Sequence, residues 1–157
     1  MRVSTHFNKN PAVAQTHWIH GIQDVFRVVD YLFARDDVDK QKIICLGLSN
    51  GAARGVTALA LDSRINAGIL VSAGFSNWHV KRPVINQYNY APHVKQPVLM
   101  VTGLQDALYR YENSQVPLYK DLGSKDKQHV AIPGGHLPDM KVIVDRAHDW
   151  ILARFSD

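Results

Sequence analysis

Apolar positions along the chain alternate between two kinds of pattern, and the alternation defines its elements. From Thr16, a candidate N-cap, Trp18, Ile22, Val25, Val29 and Leu32 recur at steps of three and four, the spacing of one helix face, which Phe26, Val28 and Phe33 widen. That helix is expected to stop near Arg35, where Asp36, Asp37 and Asp39 favour turns through side-chain to backbone hydrogen bonds. A short apolar strand follows over Lys42 to Leu46, then a second helix over Asn50 to Leu61 with Ala52, Ala53, Val56, Leu59 and Ala60 toward the core. Ile65 to Ala73 is a nearly continuous apolar run, as expected of a strand covered on both faces. Pro97 to Gly103 repeats that pattern, Tyr111 to Leu122 reads as a helix, and His129 to Ile132 as a short fourth strand. The last helix spans Pro138 to Phe155 on Val144, Ala147, Trp150 and Ile151. Helices alternating with buried strands predict an α/β domain with a parallel sheet.

Two stretches lack such periodicity. Residues 1–16 read as an irregular lead-in, with turn chemistry at Asn8-Lys9-Asn10-Pro11. Residues 74–96 form a long aromatic and proline-containing connection, expected to be a lid or binding loop within a single domain spanning residues 1–157.

Composition narrows the function classes. The chain has 157 residues, 46% hydrophobic and 20% charged, and a formal net charge of +4. Its basic residues are scattered, so neither a nucleic-acid stripe nor a membrane-binding run is expected. Cys45 is the single cysteine and sits in an apolar strand, which excludes an intrachain disulfide. The beginning of the chain lacks an apolar signal region, so a cytoplasmic location is expected.

The chemistry is concentrated where the first strand meets the second helix, at Gly47-Leu48-Ser49-Asn50-Gly51. A G-x-S-x-G turn between strand and helix lifts the serine hydroxyl clear of the sheet, and both glycines are expected where a Cβ would strike neighbouring backbone. The alternative for Ser49 is an ordinary helix cap. A nucleophilic serine needs a base and an orienting acid. Asp106 follows the third strand and His136 the fourth, so both fall on the carboxyl edge of the sheet with Ser49. Asp121, Asp126 and His129 are weaker candidates, because none follows a strand end, and Asp106 could instead be a turn residue. Leu48, Phe75 and Trp78 are candidate pocket walls, although aromatic residues in a long loop also serve to anchor it.

These segments resemble the α/β-hydrolase superfamily, near its dienelactone-hydrolase and acetyl-xylan-esterase-like branch. The likeness covers about Trp18 to Phe155 and rests on Asp30-Tyr31-Leu32, Gly47 to Ala52, Pro97 to Asp106 and Gly134-Gly135-His136. It implies a truncated parallel sheet of about four strands with helices on both faces. It also implies a carboxylic ester hydrolase working through an acyl-enzyme, with Ser49 as nucleophile, His136 as general base and Asp106 as its orienting acid. The substrate would be a small-molecule ester, and no metal or organic cofactor is implied. The backbone N–H of Asn50 would supply one oxyanion-hole donor. The second donor and the family's upstream strands have no counterpart, since the 17 residues before Trp18 are too few to hold them. That leaves the strand at 42–46 as an exposed edge, calling for a homo-oligomer or a partner chain to cover it. The alternative function is a truncated or degenerate hydrolase unit that assembles or binds small ligands without catalysis.

Overall fold

A computed structural model describes residues 10–76 and 82–156. The first helix, α1 (Pro11–Phe33), begins five residues before Thr16. Asn10 caps it, its side-chain oxygen accepting from Ala12 N at 3.0 Å, and Pro11 occupies the first turn, where a missing N–H costs nothing. The Asn-Pro pair read as a turn is therefore a helix start, and the irregular lead-in does not extend to residue 16. Thr16 lies inside the helix, with its hydroxyl donating to Ala12 O. Ala14, Trp18, Ile22 and Val29 are buried, whereas Val28 is 57% exposed and does not widen the face.

Four strands follow: β1 (Ile44–Leu48), β2 (Ala67–Val71), β3 (Val98–Gly103) and β4 (Lys127–Ile132). They pair in parallel in the order β1-β2-β3-β4, so each strand lies beside its successor. Every β2 residue is buried, as its unbroken apolar run requires. The strand β1 lies two residues later than its apolar run predicted, because Ile43 is held outside the ladder by Asn66, whose side chain accepts from Ile43 N and whose N–H donates to Ile43 O.

Helices cover both faces of the sheet. On one face α2 (Asn50–Leu61) and α1 enclose Ala52, Val56, Leu59 and Val29 with Leu70 and Met100. On the other, α4 (Met140–Phe155) packs Ile143, Ala147 and Trp150 on Ile69, Leu99 and Val101. Val144, expected in that contact, is 56% exposed. It belongs to the part of α4 that overhangs β1. The predicted helix at 111–122 is a π-helical turn, Tyr111–Gln115, that passes into α3 (Val116–Asp121) beside Pro117, which has no N–H to continue a regular ladder.

Within the long connection, Pro83–Ile85, Gln87–Asn89 and Ala91–His93 each form one tight helical turn. Ile85, Gln87, Ala91 and Val94 are all fully buried, so this portion is part of the packed body. Among the described residues, no helix is long and apolar enough to cross a membrane.

Candidate active site

Ser49 stands between β1 and α2 with φ 53° and ψ −111°, a left-handed backbone that a residue bearing a side chain adopts only at a cost of about 1–3 kcal/mol. The turn is held by Ser49 N donating to Val71 O at 2.8 Å and Ala53 N to Ser49 O at 3.0 Å. Gly47 is required by close packing, because a Cβ there would lie 2.4 Å from Gly51 O. Gly51 is different. A Cβ there meets nothing within 4 Å, so the expected collision at the second glycine does not exist among the described residues.

Although Ser49 occupies the N-cap position of α2, its side chain makes no capping bond. The hydroxyl instead lies 2.6 Å from His136 Nε2, and His136 Nδ1 lies 2.9 Å from Asp106 Oδ2. The Asp106 side chain is wholly buried, and its second oxygen accepts from Leu108 N and Tyr109 N at 2.8 and 3.0 Å. A carboxylate held in this way selects the imidazole tautomer with the proton on Nδ1. That leaves the Nε2 lone pair to accept the Ser49 O–H.

Three side chains outside the triad, those of Gln105, Gln115 and Tyr109, help to build this arrangement. Gln105 ties the two loops together: its backbone N donates to Gly134 O at 2.9 Å and its side-chain oxygen accepts from Gly134 N at 2.6 Å. Gly134 has φ 132°, where only glycine is unstrained. Gln115, fully buried, donates through its amide to Gly103 O and Tyr109 O, strapping both ends of the loop that carries Asp106. Tyr109 packs its ring 5.6 Å from that of His136, and burial, with the Asp106 charge, raises its phenol pKa. A glutamine is legible as a strap only when the loop it spans is known.

The remaining expected site residues are distributed unevenly. Asn50 opens α2, where helix N–H groups have no intrahelical acceptor, and its side chain accepts from Arg54. Phe75 is buried, stacks on Tyr88 and lines a cavity at the carboxyl ends of β2 and β3. Leu48 lies elsewhere, on the α4 face of β1 in a separate apolar groove. Trp78 falls outside the described residues.

Solved structures share this architecture. A zinc-bound cold-adapted esterase from an Arctic intertidal metagenomic library superposes with a TM-score of 0.74 at 23% identity over 91% of this chain and 64% of its own. Est1E from Butyrivibrio proteoclasticus gives 0.74 at 21% identity, over 89% and 72%. Acetyl Xylan Esterase 1 from Thermoanaerobacterium sp. JW/SL YS485 gives 0.72 at 19%, over 87% and 53%. The chain has an α/β-hydrolase fold. No family model and no curated protein matches the sequence. The chain spans about half to three quarters of the length of these neighbours.

Proposed function

We propose that the protein is a serine hydrolase that cleaves carboxylic esters, with Ser49, His136 and Asp106 as its catalytic triad. The observation that carries this reading is the unbroken hydrogen-bonded relay from the Ser49 hydroxyl through His136 to the buried Asp106. Ser49 Oγ attacks the ester carbonyl carbon while His136 Nε2 takes its proton, and the Asn50 N–H at the start of α2 meets the oxyanion. Collapse expels the alcohol, which leaves with the proton from His136. Water, deprotonated by His136, then attacks the acyl-enzyme and regenerates Ser49 with release of the acid. The single thiol fits a cytoplasmic setting. A fluorophosphonate probe is expected to label Ser49, and Ser49→Ala to lower ester hydrolysis by about 10⁴-fold or more. A folded protein that takes no label overturns the reading.

A second reading is favoured by β1, which no described strand pairs on its outer side. The strand is at the sheet edge, Leu46 is 61% exposed, and the groove between it and α4 is lined by Leu46, Leu48, Met140 and Val144 among others. One oxyanion donor alone forgoes roughly 10²- to 10³-fold in rate. In this reading the unit assembles, through β1, with a further polypeptide strand, and a second copy is one source of it. Light scattering of the purified chain checks this. A stable monomer that does not associate and hydrolyses esters at ordinary rates removes the need for assembly.

A further inference from the structure

Beside the loop that carries Asp106 lies a cavity of about 440 Å³, bounded by Phe75 and Ser76 after β2 and by Ala107, Leu108, Arg110, Asn113 and Ser114 after β3. It shares the carboxyl edge of the sheet with Ser49, where open α/β sheets bind ligands. Its walls are of two kinds. Phe75, Ala107 and Leu108 are apolar, and Leu108 is 71% exposed. Arg110 and Asn113 are polar, and among the described residues no carboxylate lines the space. The Arg110 guanidinium makes no hydrogen bond or ion pair with any described residue, while its backbone carbonyl accepts from Ser114 and Gln115 and so fixes its Cα. Arg64 and Arg154, by contrast, each hold a carboxylate.

We propose that this cavity is a subsite for substrates bearing a carboxylate on a short aliphatic chain, with Arg110 as the residue that selects them. The inference rests on the esterase reading and assigns its substrate class: the chain lies along Phe75 and Leu108, and its carboxylate meets the planar fork of Arg110 with Asn113 as a further donor.

The test compares mono-4-nitrophenyl glutarate with 4-nitrophenyl acetate. The anionic ester is expected to be preferred about tenfold in kcat/KM at low salt, the worth of one charge-assisted contact, with the preference shrinking as salt screens it. Arg110→Gln removes the preference, Arg110→Lys keeps part of it, and Arg146→Gln, the same charge change on the exposed face of α4, leaves it intact. Turnover of the acetate with no preference, or a preference that survives Arg110→Gln, overturns the subsite and spares the esterase reading. If neither ester is turned over, the esterase reading fails and a titration with glutarate decides. Saturable shifts of the Arg110 and Asn113 amide resonances, lost in Arg110→Gln, uphold the subsite, and their absence overturns it.

Discussion

The two edges of the sheet are both formed by single parallel strands, yet they are edges of opposite kinds. On β4 the first residues are Lys127, Gln128 and His129, polar groups that discourage further pairing. Lys127 Nζ donates to Tyr119 O, Lys120 O and Leu122 O at the end of α3, and Arg154 of α4 pairs with Asp126 just ahead of the strand. This edge is finished. On β1, Ile44, Leu46 and Leu48 face α4, and among the described residues the groove between them has only apolar walls and His148. A strand with that composition belongs inside a sheet. The candidate site straddles the difference: Asp106 and His136 rise from the finished side, Ser49 from the unfinished one.

If the finished side delivers a complete base, the largest effect is expected there. Asp106→Asn preserves shape but presents the wrong group to His136 Nδ1, and ester turnover should fall about 10⁴-fold with the unfolding midpoint little changed. A loss under tenfold would mean that the relay is not used. Next in size is packing at the two strand ends. A Cβ at Gly103 would stand 2.0 Å from Gly135 O, backbone against backbone, so Gly103→Ala is expected to cost about 3 kcal/mol in denaturant unfolding. At Gly51 the space is open, and Gly51→Ala should be neutral or stabilise by up to about 1 kcal/mol through helix propensity. Equal penalties at both positions would contradict the asymmetry.

Most of this architecture was readable from periodicity, because buried parallel strands and amphipathic helices leave signals that depend on nearest neighbours in sequence. The meeting of Ser49, Asp106 and His136 accords with the rule that the carboxyl ends of parallel strands share an edge. What escaped depended on the third dimension. Asn10-Pro11 suits a turn and a helix start equally well until the chain after it is seen to coil. Val144 has the right spacing for a core residue but projects where α4 has no strand beneath it. Gln105 and Gln115 look like surface polar residues, and only loop closure turns them into straps.

A more direct comparison of the edges exchanges their chemistry. Lys127→Met leaves three carbonyls at the end of α3 without their donor and is expected to cost about 2 kcal/mol, read as a lower denaturant midpoint. Leu46→Lys, at a side chain already in solvent, should change stability by no more than about 0.5 kcal/mol while suppressing any concentration-dependent association. Were Leu46→Lys as damaging as Lys127→Met, β1 would be as closed as β4.

The smallest expected effect lies beneath the finished edge and depends on pH. His129 Nε2 is 2.7 Å from the buried Thr102 hydroxyl, and its ring centroid lies 5.8 Å from that of Tyr111 and 5.4 Å from that of Tyr119. Burial lowers its pKa, so the folded protein holds it neutral at pH values where the unfolded chain, with a pKa of about 6.5, has begun to bind a proton. The unfolded state then carries more protons, and stability falls as pH drops below about 6.5 and is unaffected above it. Denaturant midpoints at pH 7.5 and 5.5 should differ in the wild-type protein and differ less in His129→Gln, which keeps a polar partner for Thr102 but does not titrate. The free groups of β1 offer no counterpart, since Cys45, whose thiol burial raises its pKa, stays neutral across that range. Asp62 does not contribute in this window, because Arg64 holds its pKa below the ordinary carboxylate value and that pair is lost only at pH well under 5.5. An acid-side loss of the same size in His129→Gln would therefore overturn the assignment to His129.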